Sequence, residues 1–144
     1  MADNRFYNEI LTEHNIHPEF KHELEDADIV LEGVNPSCGD DIFLKLKVKD
    51  GVITDGAFTG DGCAISQAST DIMLGMIIGM PVKEALEKGE SFFHMIKGTA
   101  TPEEIESLEE AGVLQDISHM PARVKCAVLG WRTLKEALQG DIWK

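Results

Sequence analysis

Cys38, Cys63 and Cys126 are the only thiols in the 144-residue sequence. Cys38 stands in Asn35-Pro36-Ser37-Cys38-Gly39-Asp40, two residues ahead of a carboxylate in a turn-forming context. Three thiolates and one carboxylate would close a tetrahedral shell around Zn²⁺. Asp40 is the natural fourth member, because Gly39 lets both side chains fold toward one point. Spacing alone does not identify a zinc site, since no Cys-x-x-Cys pair is present. A cysteine can also serve as a small buried hydrophobe. Three cysteines flanked by glycine or basic residues, together with Asp40, favour a shared site.

Two features favour reactive thiolates. Cys63 and Cys126 lie near expected helix N-termini, where the helix dipole favours negative charge. Arg123 and Lys125 lie beside Cys126 and would stabilise a thiolate electrostatically. His14, His17, His22, His94 and His119 show no ligand spacing and read as surface or edge residues. No histidine is tied by pattern to a cysteine, so a Cys–His hydrolase finds no support.

The elements that must position these residues can be read in order. In residues 4–14, Phe6, Tyr7, Ile10, Leu11 and His14 recur at helical spacing, which reads as a short helix docking on the core. Residues 15–28 are polar, contain Pro18 and read as a loop. Ile29 to Val34 reads as a short strand. In Asp41 to Asp50, Ile42, Leu44, Leu46 and Val48 alternate with Phe43, Lys45, Lys47 and Lys49, a half-buried strand. Asp50-Gly51 is a hairpin signal, and Val52 to Thr59 returns as a third strand. Short connections make this an antiparallel meander.

After Gly60-Asp61-Gly62-Cys63 the period turns helical. Ile65, Ala68, Ile72, Met73, Met76, Ile77 and Met80 form one stripe that reads as core. Gly75 and Gly79 suggest close packing against another element. A helix from Val82 to Lys88 is expected to end at Gly89. Thr101-Pro102-Glu103-Glu104 is a capping box opening a helix that ends near Gly112. Residues 98–119 are polar and acidic and read as a helical insertion lying on the domain. Pro121 starts the last helix, with Val124, Ala127, Val128, Trp131, Leu134 and Leu138 on its buried face.

The length fits one domain over residues 1–144. The net charge of −13 argues against nucleic-acid backbones and anionic membrane surfaces as partners. No apolar run reaches the length of a membrane span. No secretory signal is visible at the N-terminus. An odd cysteine count then reads as reduced thiols in a cytoplasmic protein.

Three segments together carry a family likeness: Asn-Pro-Ser-Cys-Gly-Asp (35–40), Gly-Asp-Gly-Cys-Ala-Ile-Ser-Gln-Ala-Ser (60–69) and Pro-Ala-Arg-Val-Lys-Cys-Ala-Val-Leu-Gly-Trp (121–131). They resemble the U-type iron–sulfur cluster assembly proteins, in order and over nearly the whole chain. Within that superfamily the sequence looks like the SufU branch. The 98–119 insertion resembles the SufU insertion, and Lys125 precedes Cys126 where IscU-type scaffolds carry a histidine. The resemblance implies an α+β fold with a three-stranded antiparallel sheet packed against helices. It implies zinc held by Cys38, Asp40, Cys63 and Cys126. It also implies a zinc-dependent sulfurtransferase that takes persulfide sulfur from a SufS-type cysteine desulfurase onto Cys38 and passes it to the SufBCD scaffold. Zinc would exchange a ligand with a desulfurase histidine to free the Cys38 thiolate. The alternative is an IscU-type scaffold that assembles and transfers a [2Fe–2S] cluster, which three cysteines and Asp40 can still hold. A zinc domain used only for protein contacts is a third reading.

Overall fold

The computed structural model describes residues 4–36 and 39–139. The chain runs α1 (Asn4–Ile16), β1 (Ile29–Asn35), β2 (Asp40–Lys49), β3 (Val52–Asp61), α2 (Ala64–Ile77), α3 (Val82–Lys97), α4 (Pro102–Ser107), a 3-10 segment (Glu109–His119) and α5 (Pro121–Gln139). The expected α+β architecture is what forms: one antiparallel sheet in the order β1-β2-β3, with helices against it.

The sheet follows from the alternation in β2. Ile42, Leu44 and Leu46 are fully buried while Phe43 faces outward. At the β2–β3 turn Asp50 and Gly51 both take positive φ, 53° and 77°, the backbone of a tight two-residue hairpin. One bulge follows, where Lys47 pairs with Asp55 but Val48 pairs with Ile53. At the other end of the sheet Asn35 pairs with Asp40 and Asp41 with Asp61. Gly60 there has φ 108°, and a Cβ on it would lie 2.2 Å from the Asp41 carbonyl oxygen.

α2 and α5 cross in close contact beneath the sheet. A Cβ on Gly130 would lie 2.4 Å from Thr70 Oγ1 and 3.3 Å from Thr70 Cα, so only glycine permits this approach without displacement. A buried polar chain ties the same pair. Trp131 Nε1 donates to Ser69 Oγ (3.1 Å), which donates to the Ala127 carbonyl (2.6 Å). Phe92 of α3 stacks on Trp131, with ring centroids 4.2 Å apart and planes within 6°.

Several helix boundaries differ from the sequence expectation. α3 continues through Gly89 to Lys97 and ends at Gly98, whose φ is 79°. Gly89 lies on the buried face with Ala85, Phe92, Met95 and Ile96, and that burial outweighs the roughly 1 kcal/mol cost of an interior glycine. α2 stops at Ile77, so Met80 is outside it. Gly79 has φ 97° with nothing near its Cβ position, and Gly75 is exposed beside Phe20. The pair therefore makes no helix–helix contact.

The capping box forms as read: Glu104 N donates to Thr101 Oγ1 (3.1 Å) and Thr101 N to Glu104 Oε1 (3.2 Å). The helix it opens lasts only to Ser107, and the 3-10 segment takes over. Leu108, Ala111, Leu114 and Ile117 are nearly or fully buried. A 3-10 helix turns every three residues, so this three-residue spacing is one continuous apolar stripe. The insertion supplies core instead of resting on it.

Candidate metal centre

The site forms where strand ends and helix starts meet. Asp40 opens β2, Cys63 caps α2, and Cys126 lies in the second turn of α5. One ligand atom from each lies within 4.8 Å of the others. Tetrahedral zinc with Zn–S bonds of about 2.3 Å puts sulfurs about 3.8 Å apart. These side chains therefore reach a common ion with small shifts, and two sulfurs with a carboxylate oxygen suit zinc or iron.

Each donor is set by local chemistry. Cys63 has extended backbone, φ −69° and ψ 167°, and its Sγ accepts the Ser66 N–H at 3.4 Å. As N-cap the Cys63 side chain lies at the positive end of the helix dipole. Asp40 is fully buried. Its Oδ1 accepts the Cys63 N–H at 2.7 Å, so the carboxylate and the thiol position one another. Among the described residues its Oδ2 meets only Asn35 Nδ2, at 3.5 Å, the outer limit of a hydrogen bond. A buried carboxylate this lightly satisfied is poised for a cation. Cys126 is 1% exposed, whereas Cys63 is half-buried, so the centre opens to solvent on the Cys63 side.

Of the residues expected from sequence, Asp40, Cys63 and Cys126 converge. Cys38 lies outside the described residues. Arg123 and Lys125 are both exposed, on the turns of α5 around Cys126. Sequence reasoning missed Asn35 and Ser66, although both stand inside the motifs it singled out. It also placed His14 on the helical stripe of α1 without foreseeing its partners. His14 is no simple surface residue: Nδ1 meets Asp71 Oδ2 at 2.7 Å and Nε2 meets Glu110. Asp71 is 1% exposed and also accepts the Phe20 N–H at 2.8 Å. Burial pulls the His14 pKa down, but the hydrogen bonds to Asp71 and Glu110 outweigh it and leave it raised. This cluster borders a groove of about 350 Å³ that also touches Phe20, Met76 and Leu108 and shares no lining residue with the metal centre.

The fold and this cluster together define a small α+β domain with a cysteine–aspartate cluster at one end of its sheet that could hold a metal ion. Comparison with known proteins gives the family. The NifU-like N-terminal domain matches residues 6–140, and the chain belongs to that family. An iron–sulfur cluster assembly scaffold protein IscU from Thermotoga maritima is 43% identical, over 96% of each chain. The zinc-dependent sulfurtransferase SufU of Bacillus subtilis is 36% identical, over 92% of this chain and 88% of its own. A putative iron–sulfur cluster assembly scaffold protein for the SUF system from Fervidobacterium islandicum superposes with a TM-score of 0.84 at 36% identity, over 95% of this chain and 99% of its own. The likeness to the U-type, SufU- and IscU-like proteins is thus shown. Among the described residues no helix is long and apolar enough to cross a membrane.

Proposed function

We propose that the protein acts in iron–sulfur cluster assembly as a sulfur acceptor of the SufU kind. It would take persulfide sulfur from a SufS-type cysteine desulfurase and hand it to a SufBCD-type scaffold. The observation that carries this reading is the convergence of Asp40, Cys63 and Cys126 in a chain whose last cysteine follows an exposed lysine. Lys125, standing where IscU-type scaffolds carry a histidine, is a poor metal ligand, and in this reading Cys38 would complete the donor set. Zinc, when bound, keeps the thiolates deprotonated and offsets their charge.

Transfer needs one exchange. The Cys38 thiolate attacks the terminal sulfur of the desulfurase persulfide. A new S–S bond forms on Cys38, the donor S–S bond breaks, and the desulfurase cysteine leaves as thiolate. No net oxidation occurs. Arg123 and Lys125, both exposed beside Cys126, would favour the approach of the anionic persulfide. Asp40 holds Cys63 through the backbone throughout.

The test is mass spectrometry of the full chain after incubation with a cysteine desulfurase and cysteine. One added sulfur is expected, lost in Cys38→Ala together with stimulation of the desulfurase. An unchanged mass in the wild-type protein would defeat the proposal. A second reading, assembly of a [2Fe–2S] cluster, is favoured by the higher identity to the IscU-named relative. Anaerobic reconstitution followed by transfer to an apo-ferredoxin tests it, and a protein that keeps zinc and stays colourless counts against it.

A further inference from the structure

Ser66 sits in the first turn of α2, three residues after Cys63. Its side chain is fully buried, and its hydroxyl has no hydrogen-bond partner among the described residues. Such orphans are costly and uncommon in folded proteins. Its position is defined by Gly62. A Cβ there would lie 2.3 Å from Ser66 Oγ and 3.4 Å from Asp40 Oδ1, so hydroxyl and carboxylate border the same glycine. Several polar atoms around it already hold one hydrogen bond each. Ser66 N–H donates to Cys63 Sγ (3.4 Å), and Asp40 Oδ1 accepts from Cys63 N (2.7 Å). Gly62 O accepts from Gln67 Nε2 (2.7 Å), and Ser66 O from Thr70 Oγ1 (2.8 Å). Among the described residues the hydroxyl has no acceptor, on the helical turn that carries Cys63 and beside the glycine that Asp40 borders.

We propose that Ser66 Oγ–H donates a hydrogen bond to metal-bound thiolate sulfur of the Asp40–Cys63–Cys126 centre, as a positioning residue. The inference rests on the metal-centre reading. A thiolate held by a cation is anionic and accepts hydrogen bonds, whereas a neutral thiol is a weak acceptor. Residue 66 would then aim two donors at the centre, its backbone N–H and its hydroxyl. The hydroxyl, without a partner among the described residues, would find one in a metal-bound thiolate. Outer hydrogen bonds of this kind orient ligands and tune their donor strength.

This predicts opposite effects of Ser66→Ala in the two states. Stripped of metal by a chelator, the full-length variant should melt at or above the wild-type temperature, because an orphan hydroxyl is gone. Zn²⁺ affinity, read by competition with a chromophoric chelator, should fall about tenfold. With Co²⁺ as probe, the sulfur-to-metal charge-transfer band should shift to lower energy, since the sulfur loses a donor. Equal Zn²⁺ affinity with an unmoved Co²⁺ band overturns the inference while leaving the metal centre intact. A metal-free variant less stable than wild type also overturns it, because the hydroxyl would then have a partner in the fold. Failure of the wild-type protein to bind Zn²⁺ at all defeats the metal-centre reading itself.

Discussion

Replacing Gly130 with alanine sets two physical effects against each other. In an isolated helix the change stabilises by about 1 kcal/mol. In this fold the new Cβ lies 2.4 Å from Thr70 Oγ1, 3.2 Å from Thr70 Cβ and 3.3 Å from Thr70 Cα. Thr70 can relieve the first contact by rotating, but its hydroxyl donates to the Ser66 carbonyl at 2.8 Å. Giving up that bond leaves a buried hydroxyl unpaired, at about 1–3 kcal/mol, and the contact with Thr70 Cα remains. The other relief is retreat of α5 from α2, an overpacking cost of about 1–3 kcal/mol. Net destabilisation of about 1–2 kcal/mol is expected, or roughly 3–8 °C in melting temperature for a chain of this size. Thermal and urea denaturation of chelator-treated protein would measure it without stabilisation by bound metal. Retreat of α5 also separates Cys63 from Cys126, so Zn²⁺ affinity should fall in the same variant. Thr70→Ala combined with Gly130→Ala removes the shortest contact, and the pair should couple by about 1 kcal/mol in a double-mutant cycle. A Gly130→Ala protein as stable as wild type would mean that helix propensity wins and the α2–α5 approach does not hold the site.

Other perturbations test other parts of the frame. His14 has a pKa raised above its ordinary 6.5, so its pairing with Asp71 and Glu110 stabilises fully below about pH 6.5 and fades as pH rises through the folded value. The stability gap between wild type and His14→Gln should therefore be larger at pH 6 than at pH 9; with Glu110 exposed it should be on the order of 1 kcal/mol or less. A gap that widens with rising pH would reverse the argument. Trp131→Phe removes the donor to Ser69 and part of the stack on Phe92, and should cost about 1–3 kcal/mol in urea denaturation. Thr101→Ala should weaken α4 by about 1 kcal/mol, seen as faster amide exchange confined to residues 102–107.

How far the sequence could be read depended on where each residue's partner lies. β2 was legible because its alternation is written in ten consecutive residues. Asp40, Cys63 and Cys126 were legible as a set because each lies at or near an element end, and the ends of a short meander gather. Leu108, Ala111, Leu114 and Ile117 were misread because a three-residue stripe, viewed with a 3.6-residue period, smears around the helix and looks weakly amphipathic. Gly89 was misread as a stop because its cost is local, whereas the burial of Phe92 and Met95 that overrides it comes from α5 and the 3-10 segment.

The residues that fix the site's dimensions were the least legible of all. Gly130 in α5 carries no mark of the threonine it must admit, since Thr70 is on another helix. Ser66 looks like any serine in the first turn of a helix until burial and the lack of a partner appear together. Yet these two share one path. Thr70 presses on Gly130 and donates to the Ser66 carbonyl, and Ser66 donates to Cys63. The spacing of the two helices and the orientation of the capping thiol are therefore coupled through Thr70. A change at Gly130 should consequently reach the metal centre by this route, and in a Thr70→Ala background, where the link is cut, the same change should alter Zn²⁺ affinity much less. Equal losses of affinity in both backgrounds would show that neither the Thr70 side-chain contact nor the Thr70–Ser66 link sets the donor geometry.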